Sequence, residues 1–89
     1  MPFRFREREL RVTRNQTGEL VHYLIEDPVR GVQHRLYEVE LEVAQLLDGK
    51  RSAEKVAKQI NKKRNLSLTE VDVESFATQL LALGFVERV

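Results

Sequence analysis

Residues 9–14 alternate polar and apolar side chains, with Leu10 and Val12 pointing one way and Glu9, Arg11 and Thr13 the other. A period of two over so short a run predicts a half-buried strand. Asn15-Gln16-Thr17-Gly18 then reads as a turn, with Gly18 placed to take a positive φ. Residues 20–26, Leu-Val-His-Tyr-Leu-Ile-Glu, are rich in β-branched and aromatic side chains and nearly continuous in apolar character. They predict a second, central strand. Asp27-Pro28-Val29-Arg30-Gly31 follows as a second turn, and Val32–Tyr37 alternates again as a third strand. Two short connections in a row predict an antiparallel meander.

From about residue 38 the period changes to that of a helix. Val39, Val43 and Leu46/Leu47 recur at helical spacing, with Leu41 and Ala44 beside them, until Asp48-Gly49 stops the run. Ser52 then sits where an N-cap belongs, ahead of an apolar stripe of Ala53, Val56, Ala57 and Ile60. Lys62-Lys63-Arg64 would lie at that helix's C-terminal end, where cations face the negative end of the dipole. Thr69 caps a third helix whose stripe is Val73, Phe76, Ala77, Leu80 and Leu83, and Gly84 ends it. Phe85-Val86 would return to the core as an extended tail, and residues 1–8 form an N-terminal arm. The expected fold is therefore α+β and winged-helix-like: a three-stranded antiparallel sheet, then three helices, in the order β-β-β-α-α-α. One domain spans residues 1–89, and a chain of 89 residues has room for one core.

Composition narrows the chemistry. The chain is cysteine-free, which excludes disulfides, thiolate zinc sites and a thiol nucleophile. It has no secretory h-region and nothing near the roughly 20 apolar residues of a membrane span, so a cytoplasmic setting is expected. The histidines, His22 and His34, fall on strands predicted to pair, with no third ligand at a recognisable spacing. Ser52, Ser67 and Ser75 lack a nucleophile context. Glu38, Glu40 and Glu42 cluster where a helix N-terminus favours carboxylates. All four glycines fall at turns or helix ends, which leaves no phosphate loop. A non-enzymatic role without metal or cofactor is the expectation.

Charge is unevenly spread. The net value is +1, but residues 1–64 carry +4 and residues 65–89 carry −3. Lys50, Arg51, Lys55, Lys58, Lys62, Lys63 and Arg64 gather on and around the second helix. In a helix-turn-helix reader the following helix enters the groove and must be cationic. Here that helix carries Glu70, Asp72 and Glu74 and no Lys or Arg, so its leading end would repel phosphate. Nucleic acid is thus a secondary expectation, requiring the basic second helix to do the binding.

Two runs in this order, Leu46-Leu47-Asp48-Gly49-Lys50-Arg51-Ser52 and Leu80-Leu81-Ala82-Leu83-Gly84-Phe85-Val86, resemble the PqqD-like family. That family holds the pyrroloquinoline quinone biosynthesis protein D and the recognition domains of enzymes that modify ribosomally made peptides. The resemblance covers roughly residues 9–87. The opening and the Asp27-Pro28 turn also look like the N-terminal cytoplasmic domain of some site-2-protease-type and membrane-fusion-type membrane proteins. The HExxH metal motif of such peptidases is absent.

The resemblance implies a peptide- or protein-binding domain in which a partner segment adds to the third strand and lies against the third helix. An edge strand offers unpaired N–H and C=O groups, and a neighbouring helix supplies pockets. Carried onto this chain, the site is Val32, His34 and Leu36 on the strand, and Ser75, Thr78, Gln79 and Ala82 on the helix. Such small uncharged residues equally suit the solvent face of an amphipathic helix. Two alternatives stand beside this reading: nucleic-acid binding through the second helix, and a regulatory domain of a larger membrane protein reached only through a fused region. An unprotected edge also invites homodimer formation.

Overall fold

The computed structural model describes residues 2–89. Its strands are β1 (Phe3–Phe5), β2 (Arg11–Thr17), β3 (Leu20–Asp27), β4 (Val32–Tyr37) and β5 (Val86–Arg88). Its helices are α1 (Glu38–Leu46), α2 (Ala53–Arg64) and α3 (Glu70–Ala82), and a 3-10 turn (Glu7–Glu9) links β1 to β2. The expected meander is present as an antiparallel sheet of order β2-β3-β4. The three helices follow it in the expected order.

Two boundaries differ from the sequence reading, each for a local reason. The first strand runs on through Asn15, Gln16 and Thr17, because Thr17 pairs with Leu20 and only Gly18-Glu19 form the turn. Gly18 has φ +61°, the sign taken by the first central residue of a type II′ hairpin, whose twist matches that of the strands. Polar side chains in this stretch cost nothing, since both of its faces are exposed.

The larger difference is at the N-terminus. Residues 1–8 were expected to form an arm, but β1 pairs antiparallel with β5, Phe5 opposite Val86. The other side of β1 joins the α1–α2 link: Phe5 N–H donates to the Leu47 carbonyl at 2.8 Å, and Gly49 N–H to the Phe3 carbonyl at 2.9 Å. Phe3 and Phe5 alternate with arginines, a period-two pattern that buries both rings. Gly49 is needed here twice over. Its φ is +83°, and a Cβ would lie 3.0 Å from a Val89 methyl carbon and 3.5 Å from Arg4 Cβ.

One core unites the two sheets and the helices. Ile25 and Leu36 from the main sheet, Ala44, Val56, Ile60, Val73, Ala77 and Leu80 from the helices, and Phe85 from the tail are essentially fully buried. The helix signals are satisfied as read. Ser52 Oγ accepts from Lys55 N–H, Thr69 Oγ1 accepts from Asp72 N–H, and the Asp72 carboxylate in turn accepts from Thr69 N–H.

The buried N-terminal rings give a direct test. Phe5→Ala should lower unfolding free energy by about 3 kcal/mol in urea titration, whereas Val29→Ala should stay within about 0.5 kcal/mol. Val29 is 91% exposed in the β3–β4 turn. A solvated arm would instead make the two variants alike.

Candidate functional site

The main sheet is covered on one face only. The register places Val12, Tyr23, Ile25, Asp27, Val32, His34 and Leu36 on the face toward the helices. Leu20, His22, Leu24, Arg35 and Tyr37 lie on the other face. The two histidines are therefore on opposite faces of the sheet, which rules out a shared metal between them. Among the described residues no group of three His, Asp or Glu side chains could hold a metal ion.

Among the described residues β4 is an edge strand, paired only with β3. Of its three proposed contact residues, His34 is exposed, Val32 half-buried and Leu36 completely buried. Leu36 thus serves the core and holds β4 down on α1. The edge it anchors remains open to solvent along Gln33, His34 and Arg35.

The helical half of the expected site is not assembled as the sequence reading had it. Ser75, Thr78, Gln79 and Ala82 form a stripe on α3 opposite the buried stripe of Val73, Ala77 and Leu80, and all four are exposed. Thr78 Oγ1 spends its donor on the Glu74 carbonyl one turn back. α3 packs chiefly on α2 and β5, while the helix against β4 is α1. The reason is the direct join of β4 to α1: Tyr37 leads into Glu38 with no loop, so α1 is the helix that packs back on β3 and β4 and leaves no place there for α3.

Between α1 and α3 lies a cavity of about 180 Å³, lined by no residue of β4 itself. Its walls are Val39 and Val43 of α1, Leu68 of the preceding link, and Val73 and Phe76 of α3. Glu40 and Asp72 stand at its rim, already engaged as caps by Tyr37 N–H and Thr69 N–H. The sequence reading placed Val39 and Phe76 in core stripes. Their half-buried state depends on how far apart α1 and α3 pack, which no single helix's periodicity encodes.

The basic second helix is largely neutralised. Lys58 pairs with Glu54, and Lys63 and Arg64 both clasp Glu42, with Glu38 also near Arg64. Hydrogen bonds from Arg64 and then Lys63 hold the Glu42 carboxyl below its ordinary range, and Glu42 in turn raises Arg64. Backbone N–H groups of Arg51 and Lys50 likewise hold Asp48 low. Of the seven cations gathered around α2, only Lys50, Lys55 and Lys62 lack a carboxylate partner among the described residues.

The sign of the Glu42 effect is fixed. A depressed folded pKa stabilises above the unfolded value and is lost as pH falls through the folded one. Glu42→Gln should therefore unfold at lower urea than the parent at pH 7, and the gap should close below about pH 4. A gap that persists unchanged at pH 3 would contradict the α1–α2 clasp.

No helix among the described residues is long and apolar enough to cross a membrane. Comparison with protein-family models, curated proteins and solved structures gives no match, so the chain is described by its fold and its open edge rather than by a family.

Proposed function

We propose that this chain is a peptide- or protein-binding module that takes a partner segment as an added strand on β4. The observation that carries this reading is the free edge of β4, whose end at Tyr37 is bonded to Glu40 on the rim of an apolar cavity. Backbone N–H and C=O groups supply affinity in strand addition, and pockets for alternate side chains supply selectivity. The cavity between Val39, Val43 and Phe76 would take one aliphatic side chain of the partner. The exposed stripe of Ser75, Thr78, Gln79 and Ala82 is assigned no contact in this reading, which departs from the arrangement the family resemblance implied.

The geometry gives the nucleic-acid alternative less support. A groove reader needs uncompensated cations on one face, and the carboxylates of Glu38, Glu42 and Glu54 remove three from α2.

A decapeptide selected from a random display library on the immobilised chain provides the test. Titrated onto isotope-labelled protein, it should shift the amides of Val32–Tyr37 together with those of Val39 and Phe76. Phe76→Ala should weaken it about tenfold and Thr78→Ala less than twofold. Shifts confined to α2 or to the outer sheet face would reject the reading.

A further inference from the structure

The cavity between α1 and α3 combines apolar walls with a rim of one charge sign. Val39, Val43, Leu68, Val73 and Phe76 form the walls, Glu40 and Asp72 complete the lining, and no Lys, Arg or His takes part in it. Neither carboxylate has a cation within ion-pair distance among the described residues. Each is held by one oxygen. Glu40 Oε1 accepts from Tyr37 N–H at 2.8 Å, and Asp72 Oδ2 accepts from Thr69 N–H at 2.8 Å. A bond to a main-chain N–H orients a carboxylate but leaves its charge in place. Because Tyr37 is the last residue of β4, one of the two charges is tied to the end of the open edge.

The helix ends do not cancel these charges. Glu40 and Asp72 both stand in the first turn of their helices. The helix dipole sets roughly half a positive elementary charge there, against a full negative charge on each carboxylate. Glu70 adds a further negative charge to the first turn of α3, whereas Glu38 of α1 is turned to Arg64. Arg35, the cation of β4, lies on the outer face of the sheet, away from the helices.

We infer that the segment taken by β4 is basic on its inward face: an aliphatic anchor enters the cavity, and a Lys or Arg two positions to either side of it meets Glu40 or Asp72. This rests on the reading of β4 as a strand-addition edge and names the chemistry of its partner. Residues two apart in a strand share a face and stand about 6.7 Å from each other. The two carboxylates come from different helices, one on each side of the cavity, so cations are called for on both sides of the anchor. A Lys or Arg stem can lie along the apolar wall while its charge stays at the rim. The caps hold both carboxylates in position before a partner arrives, so little of their freedom is lost on pairing.

The probes are two ten-residue peptides of Thr and Val with one central Leu, each titrated onto isotope-labelled chain. One carries Lys two positions before and after the Leu, and the other carries Gln at both places. The Lys peptide should bind about fivefold tighter, shift the amides of Val39, Val43 and Phe76 together with Val32–Tyr37, and lose its advantage as salt is raised. E40Q/D72N keeps both capping acceptors and removes both charges, so it should abolish the advantage while binding the Gln peptide as the parent does. E74Q, on the exposed side of α3 outside the cavity, should leave the advantage intact. Equal binding of the two peptides by the parent, an advantage that survives E40Q/D72N, or no binding of the Lys peptide would overturn the inference, and the selected decapeptide would still judge the β4 reading. A charge-dependent advantage with shifts at the cavity but none along Val32–Tyr37 would overturn the β4 reading instead and leave the cation preference of the cavity standing.

Discussion

The pairing of the two chain ends decides what the rest of this molecule can do. Among the described residues β1 and β5 are the strands outside the main sheet, and they pair with each other. A strand at either terminus could have covered an edge of the main sheet. Here both are spent on a separate two-stranded ladder that also binds the α1–α2 link through Phe5, Leu47, Phe3 and Gly49. That ladder closes the helical side of the core with Phe3, Phe5, Phe85 and Val86. Among the described residues, β2 and β4 pair only with β3.

A polar seam fixes the ladder relative to the sheet. Asp27, only 2% exposed, organises the β3–β4 turn: its Oδ1 accepts from Val29 and Arg30 N–H, and its main-chain carbonyl accepts from Gly31 N–H. Its second carboxylate oxygen faces the Arg6 guanidinium at 3.7 Å. Arg6 in turn donates to the Gly84 carbonyl, and its main-chain N–H to that of Phe85. A buried carboxylate beside a cation adds little net stability over an apolar pair, but removing one partner strands the other's charge. Gly84 is packed so closely on Arg30 that a Cβ would fall 1.6 Å from a guanidinium nitrogen, and its φ is +78°. The turn, the N-terminal strand and the end of α3 therefore meet at one point.

The elements themselves were legible in the sequence because their signals are local. Ser52 and Thr69 cap the helices they were expected to cap, and the stripes of α2 and α3 are the buried ones. The alternation in Val32–Tyr37 gave its two faces correctly. What escaped was long-range. Phe3-Arg4-Phe5 alternates as plainly as the other strands, but its partner lies at the far end of the chain, and nothing local names it. The position of α3 escaped for a similar reason: its distance from β4 follows from the loop-free join at Tyr37-Glu38, which packs α1 back on β3 and β4 and leaves no place there for α3. The expected contact stripe on α3 thus became solvent face, and a pair of half-buried stripe residues, Val39 and Phe76, became cavity wall.

The structure of the chain bound to a peptide selected on it tests the central claim most directly. The account predicts the peptide lying antiparallel or parallel along β4 as a fourth strand, main chain paired to main chain, with one aliphatic side chain between Val39 and Phe76. A peptide seated on α2 or across the outer face at Leu20 and Tyr37, with both edges of the sheet left bare, would contradict it.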